Sequence, residues 1–321
     1  MSQPLAAGLE RTITELHGPA GVRWLTALPG LLDAIAERWD LQIGPPFESL
    51  SYHYVAPATT RVGIDLVVKL GVPHVGLRRE AEALRCLAGQ GTARLIDSDL
   101  ELGMLLLERL RPGHPLSALP DDQQATQQAA QVMRLLPIPV PATHPFRSVA
   151  DRAGDLADLR RRFQGTSGPF PADLVDRAER LFAELLASQG PPMLLHGDLH
   201  HGNILAAQRR PWLAIDPKGI VGEAEYDAAN LLCNPMPALL SWPDLSRVMV
   251  RRADQLGELL GFDAVRLLGW AQAHAVVSAW WVYDDHGRVG ARWLACARAL
   301  QAAHRPIRQP VPKGTDARKR Q

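Results

Sequence analysis

The run Met193-Leu194-Leu195-His196-Gly197-Asp198-Leu199-His200-His201-Gly202-Asn203-Ile204-Leu205, followed by Trp212-Leu213-Ala214-Ile215-Asp216-Pro217-Lys218-Gly219, decides how this chain is read. Two short apolar stretches bracket a polar loop, and a third apolar stretch delivers Asp216 at its end, a strand, loop, strand, turn, strand design. Such a frame gathers Asp198, Asn203 and Asp216 at one site on anchored backbone, offering oxygen ligands to a hard cation with a carboxylate beside them. Oxygen ligands favour magnesium over zinc. His196 and His200 do not read as zinc ligands: Gly197 and Gly202 oppose a helical histidine pair, and no Glu follows His196 as a metalloprotease pattern requires. They read as structural braces of the loop. Asp227, near the start of a helix, reads as a structural cap on free amides.

Upstream, Leu41 to Phe47, Leu50 to Ala56 and Val62 to Leu70 are rich in β-branched or aromatic residues and separated by Pro, Ser and Thr, which predicts an antiparallel meander. From Leu77 to Leu87 the apolar positions fall at helical spacing, and Glu80 lies on that stripe whereas Glu82 does not, so Glu80 faces inward unless the helix is turned by a quarter. Strands over 93–96 and 104–107 follow, the second ending in the turn-like connector Glu108-Arg109-Leu110-Arg111-Pro112-Gly113. The organisation expected is a first lobe over 1–110 with an N-terminal helical extension, and a helical lobe over 111–304.

In that second lobe the composition shifts to Ala, Leu, Arg and Gln, with helical periodicity over 123–136, 172–187, 224–232, 245–260 and 264–283, and a last helix to about His304. Residues 136–141 are extended, because each Pro pushes its predecessor out of the α region. The charged stretch within 145–171 predicts a surface helix, either a substrate-side cap or a loose excursion. Residues 305–321 hold Pro, Gly and scattered basic residues with little to bury, and read as a disordered basic tail.

Among the 321 residues, 35 Lys and Arg stand against 34 Asp and Glu, a net charge of +1, which is not the footprint of a nucleic-acid binder. Three widely spaced cysteines, Cys86, Cys233 and Cys296, frame neither a disulfide scaffold nor a zinc knuckle and fit a reducing cytosol. The N-terminus carries no basic-then-apolar signal, and every apolar run stops well short of the roughly 20 residues that cross a bilayer. A cytoplasmic enzyme or binding protein with no membrane and no obligate protein partner is expected. Gly89-Gln90-Gly91-Thr92-Ala93-Arg94 begins like a dinucleotide fingerprint, but Arg94 stands where the third Gly belongs.

The order His196-x-Asp198, Asn203 five positions on, then Asp216 is similar to the catalytic core of the protein-kinase-like fold. His196-Gly197-Asp198-Leu199-His200 and Ile215-Asp216 resemble the aminoglycoside phosphotransferases, while Asp216-Pro217-Lys218-Gly219 and Ser278-Ala279-Trp280-Trp281 resemble the streptomycin and hydroxyurea phosphotransferase branch; the likeness covers about residues 40 to 300. It implies an α+β, bilobal protein-kinase-like fold, with a small antiparallel-sheet N-lobe and a larger, mostly helical C-lobe. It also implies transfer of the γ-phosphoryl of ATP to a hydroxyl of a small polar acceptor, streptomycin at its 6-hydroxyl first. By the same likeness Asp198 is the general base, Asn203 and Asp216 hold magnesium, Lys69 contacts the nucleotide's phosphates, and Glu80 is its ion-pair partner. ATP's adenine would lie against the connector from Glu108 to Leu110.

Two departures matter. A protein kinase has Arg where Gly197 sits and an activation segment ending in Ala-Pro-Glu; their lack points to a constitutive small-molecule kinase. The phosphate loop also lacks glycines, Phe47-Glu48-Ser49-Leu50-Ser51-Tyr52 taking the turn, so Ser49 and Ser51 are the candidate phosphate donors. A polycationic acceptor calls for carboxylates, and Glu223, Asp284 and Asp285 are candidates. Lys218 is either a surface residue or a neutraliser of phosphate. Taken alone, Lys69 would read as an exposed strand residue. Two rival functions remain: the same chemistry on hydroxyurea or a metabolic alcohol, and an inactive nucleotide-binding module.

Overall fold

A computed structural model describes residues 7–48, 50 and 52–303. Ser49, Ser51 and the tail expected over 305–321 lie outside the described residues. Helix α1 (Ala7–Arg38) kinks at Gly18 and buries Leu9, Ile13, Leu28 and Ile35. Strands β1 (Leu41–Ile43), β2 (Tyr54–Thr60) and β3 (Asp65–Leu70) follow, then helix α2 (Val75–Leu87) and strands β4 (Leu95–Asp99) and β5 (Met104–Glu108). The sheet runs β1-β2-β3-β5-β4, antiparallel throughout, with Val55 opposite Lys69 and Lys69 opposite Leu105. Alternation buries Leu66, Val68 and Leu70 with α1 in one core. On the other face, Leu77, Ala81 and Leu84 of α2 pack on Leu105 and Leu107.

The meander is real, but the first strand is shorter and the second sits later in the chain than the β-rich composition predicts. The first strand stops at Ile43 because Gly44-Pro45-Pro46 follows, and a proline has no N–H to give a ladder. The second begins at Tyr54 rather than Leu50.

Beyond the sheet come α3 (Asp122–Met133), β6 (Ile138–Pro139), β7 (Arg147–Ser148), α4 (Val149–Arg162), α5 (Ala172–Ala187), β8 (Met193–Leu195), β9 (Ile204–Ala206), β10 (Trp212–Ala214), β11 (Ile220–Gly222), α6 (Asp227–Leu232), α7 (Leu245–Leu260), α8 (Ala264–His286) and α9 (Ala291–Ala302). Local chemistry sets the ends. Asp121 accepts from the Gln123 and Gln124 amides to start α3, Ser148 and Asp151 form a capping box on α4, and Asp263 caps α8, which ends at left-handed Gly287. Helix α5 buries Leu174, Val175, Ala178, Leu181, Phe182 and Leu185, a 3-4 stripe on one face. Helix α8 is buried all round from Arg266 to Trp280 and is the axis on which the others pack.

Small sheets carry the site. Strand β11 pairs antiparallel with β8 and parallel with β7, and β8 pairs with β6, so the extended 136–141 segment joins a sheet. Strands β9 and β10 form a hairpin. That hairpin is tied to the chain ahead of β4 by Ala93 N–H to the Ala214 carbonyl and Ala214 N–H to the Gly91 carbonyl, both 2.8 Å. The surface helix expected within 145–171 is α4, but its Arg152 points inward and is buried. No described helix is long and apolar enough to cross a membrane.

Candidate active site

Strand β3 sends Lys69 to the inner face, where it is 1% exposed. Its Nζ lies 2.7 Å from Oε1 of Glu80, which α2 presents on its buried side, and 3.0 Å from Oδ1 of Asp216. Burial alone would pull the Lys69 ammonium down; Asp216 and Glu80 more than reverse this and hold its pKa above the usual lysine value. Asp216 follows β10 with φ +60, a left-handed conformation uncommon for a residue with a Cβ. Burial acts to raise its carboxyl, yet the charges of Lys69 and Lys218 hold it well below the ordinary carboxylate range.

Between β8 and β9 the loop is pinned from several sides. Asp227 accepts the backbone N–H of His196 at 2.8 Å and of Gly197 at 2.7 Å. These bonds tie α6, of which Asp227 is the first residue, to the loop, so its amide partners are those of the loop rather than of its own helix. Burial pushes its carboxyl up to about 6, against the pull of those two amides. His196 Nε2 donates to the Ile215 carbonyl at 2.8 Å and its Nδ1 accepts from Asp198 N–H at 3.2 Å, which fixes the tautomer. Burial lowers its pKa to about 4, so the ring is neutral at neutral pH. Arg152 Nη2 donates to the Gly197 carbonyl at 3.0 Å, its guanidinium 4.8 Å from the Trp281 ring centroid. Gly197 has φ +80, and a Cβ there would lie 2.4 Å from Cγ1 of Ile220, so no side chain fits where protein kinases carry Arg. His200 braces its own loop by accepting the Gly202 N–H.

The loop brings Asp198, Asn203 and Asp216 together. Asn203 Nδ2 donates to the Asp198 carbonyl at 3.0 Å, and the Asn203 carbonyl accepts from Ile215 N–H at 2.9 Å. Oδ1 of Asp198 accepts from Nδ2 of Asn230 at 2.6 Å; Oδ2 faces Nζ of Lys218 at 3.7 Å. Asn230, on α6, was not legible in the sequence, although it lies three residues from Asp227 on the same helix face. Its amide is set in turn by Asn234, whose Nδ2 donates to Asn230 Oδ1 at 2.9 Å.

Asp216 and Asn203 fit a magnesium ion. Both offer oxygen, Lys69 takes only Oδ1 of Asp216, and among the described residues no group of three or more His, Cys, Asp or Glu could enclose a metal. An ion that keeps waters and binds phosphate oxygens asks for such a sparse donor set.

The connector is rigid. Arg209 grips Glu108 through Nε to Oε1 at 3.0 Å and Nη2 to Oε2 at 2.9 Å, and also holds the Gly89 and Thr92 carbonyls. The Glu108 side chain is thus engaged, its own N–H donates to the Arg94 carbonyl at 2.9 Å, and Leu110 is packed with Ala93 and Leu213.

One acceptor candidate is corrected. Glu223 is 3% exposed and its carboxylate accepts from Arg266 Nε and Nη2, Trp270 Nε1 and Gly190 N–H. A carboxylate closed in by four donors has nothing left for a substrate, and its role is to lock α8 to the loops around 190 and 223. Asp284 and Asp285 are exposed at the end of α8. Desolvation and then the charges of Asp285 and Asp198 raise the Tyr52 phenol.

Comparison with known proteins agrees with this geometry. The family described as aminoglycoside/hydroxyurea antibiotic resistance kinase matches residues 44–286. A streptomycin 6-kinase of Streptomyces glaucescens is 34% identical over 284 residues, 88% of this chain and 91% of that protein. A hydroxyurea phosphotransferase of Kitasatospora aureofaciens is 33% identical over 281 residues, 84% of this chain and 77% of that one. In fold, the chain is similar to a thermostable mutant of aminoglycoside phosphotransferase APH(4)-Ia solved with ADP and hygromycin B, at a TM-score of 0.57 and 14% identity, covering 83% of this chain and 97% of the other.

Proposed function

The chain belongs to the aminoglycoside/hydroxyurea antibiotic resistance kinase family, and on that premise we propose that it transfers the γ-phosphoryl of ATP to the 6-hydroxyl of streptomycin. It is a small-molecule phosphotransferase with an alcohol group as acceptor. The observation that carries the reading is the asymmetry at Asp198: Asn230 holds Oδ1, and Oδ2, with Lys218 Nζ 3.7 Å away, is the oxygen to take a proton. The acceptor oxygen bonds to the γ-phosphorus, its proton passes to Asp198, and the bond to the β-phosphate oxygen breaks with ADP leaving. Asp216 and Asn203 are the residues that would hold magnesium, which when bound supplies charge neutralisation at the phosphates.

Within this reading Lys69 contacts the nucleotide's phosphates and Glu80 keeps its ammonium aimed. The backbone from Glu108 to Leu110 reads adenine, Ser49 and Ser51 donate to phosphate, and Asp284 with Asp285 receives the cationic groups of the acceptor. The free thiols Cys86, Cys233 and Cys296 suit a cytoplasmic setting. Hydroxyurea is the second reading, favoured by the 33% identity to its phosphotransferase.

The test is ADP release from the full chain with ATP and magnesium, streptomycin or hydroxyurea as acceptor. Turnover of streptomycin, falling roughly 10²- to 10⁴-fold in Asp198→Ala, supports the proposal. Turnover of hydroxyurea alone transfers the assignment to the second reading. ATP binding with no acceptor turned over would make the chain an inactive nucleotide-binding module.

A further inference from the structure

Lys218 lies in the turn that follows Asp216, between β10 and β11. Its own N–H and that of Gly219 both donate to the His196 carbonyl, at 2.7 and 3.2 Å, so the turn is fastened to the root of the loop that carries Asp198. Pro217 before it is buried, whereas the Lys218 side chain is 44% exposed. Gly197 and Lys218 are packing neighbours: a Cβ on Gly197 would stand 3.5 Å from the Cβ of Lys218, an ordinary contact.

The charge balance calls for such a cation. Lys69 is shared between Glu80 and Asp216, and Asp198 adds a third carboxylate to the cluster. A triphosphate entering this field needs protein cations whose donors are still available. At 3.7 Å from Oδ2 of Asp198, the Lys218 ammonium is longer than a hydrogen bond, so its N–H donors are not taken up by that carboxylate. Its charge acts on His53, His74, Glu80, His196 and Asp216, groups contributed by both lobes, which marks its central place.

We infer that Lys218 is a further catalytic residue, its ammonium binding oxygens of the phosphoryl group in flight and holding that group against Oδ2 of Asp198. The inference rests on the phosphotransferase reading above. In the step, the acceptor oxygen forms a bond to the γ-phosphorus, the bond from that phosphorus to the β-phosphate oxygen breaks with its electron pair staying on ADP, and the hydroxyl proton goes to Asp198. Lys218 stays protonated throughout and loses or gains nothing. It supplies the charge that a glycine-rich loop contributes elsewhere through backbone amides.

The test compares affinities for ADP and for β,γ-imido ATP, each with magnesium, by calorimetry on the full chain and on Lys218→Met and Lys218→Arg. The expected result is an ADP affinity unchanged within about twofold and a β,γ-imido ATP affinity about tenfold weaker in Lys218→Met, the contact being to the γ-phosphoryl alone. Lys218→Arg keeps most of that preference. With acceptor present, kcat of Lys218→Met falls roughly 10²-fold while the acceptor KM stays within about threefold. A ratio of the two nucleotide affinities in Lys218→Met equal to that of the wild type overturns the inference, as does an equal loss of both. Should Lys218→Met fail to fold, Lys218→Gln carries the same comparison. If no acceptor is turned over by the wild type, the functional reading fails, yet the nucleotide ratio still decides the role of Lys218.

Discussion

Asn230 Nδ2 donates to Oδ1 of Asp198 at 2.6 Å, and this bond selects which carboxylate oxygen remains for chemistry. Without it, the carboxyl would rotate about its last torsion and present either oxygen. Asn234 fixes the amide of Asn230 in its turn, so the orientation is passed along α6 to the base. Asn230→Ala is expected to lower kcat about 10- to 100-fold with the nucleotide KM nearly unchanged, and Asn234→Ala to lower it less. Steady-state ADP release at varied ATP checks the split; a KM rise with kcat preserved would refute the positioning role.

Lys69 and Glu80 form a buried pair in which each charge answers the other. Removing one partner strands the second in a low-dielectric interior, a loss of about 3–5 kcal/mol. Lys69→Met should show that loss in urea denaturation, and the double variant Lys69→Met, Glu80→Gln should recover most of it. Activity should stay absent in both, because the double variant removes the stranded charge of Glu80 without restoring the Lys69 contact to Asp216 or to phosphate. Equal stability of single and double variants would contradict this.

Acid should weaken the fold in a defined window. Burial lowers His196 to about 4, His201 to about 3 and His274 to about 3, each below the usual histidine value of 6.5. Folded rings therefore stay neutral while unfolded rings bind protons, so stability falls as pH drops from about 6.5 toward 4, by up to about 1.4 kcal/mol per ring per pH unit. Asp227, raised to about 6, acts in the opposite direction over its own range, as do the raised carboxyls of Glu80, Glu225 and Asp285, while the lowered rings of His17, His53 and His74 add to the histidine effect. His201 separates the effect cleanly, since neither ring nitrogen hydrogen-bonds to the protein. His201→Leu should lose less stability between about pH 7 and 5 than the wild type in urea titrations. An unchanged pH slope would count against the assignment.

What the sequence disclosed was what lies close together in it. Asp198, Asn203 and Asp216 fall within one short run whose alternation of apolar and polar stretches already implies strands and loops, and Glu80 was legible because a helical stripe states which way a carboxylate faces. Asn230 stands 32 residues from Asp198 and Arg152 stands 45 from Gly197. Neither separation leaves a periodic trace, and Arg152 sits among charged neighbours that suggest a solvated face. The strand boundaries before Tyr54 were misplaced because β-prone composition does not say where prolines break a ladder. Asp227 was read from its place at a helix start, where capping is the common role, while its amide partners come from a loop 30 and 31 residues earlier.

Glu223 was misread for a related reason. Acidic residues on a helical lobe are mostly solvated, and the sequence does not announce that Arg266 and Trp270 lie 43 and 47 residues on. Its placement yields a prediction opposite to that of an acceptor-binding carboxylate. Glu223→Ala leaves Arg266 buried without its counter-charge, at a cost of about 3–5 kcal/mol in urea denaturation. Glu223→Gln, which keeps the shape and one acceptor oxygen, should lose less. In either variant that remains folded, the acceptor KM should stay near the wild-type value, because the side chain never reaches the cleft. Asp285→Asn is the contrasting variant: exposed at the end of α8, it should leave stability within about 0.5 kcal/mol and raise the KM for a cationic acceptor. Acceptor KM that rises in Glu223→Gln and not in Asp285→Asn would reverse the two assignments.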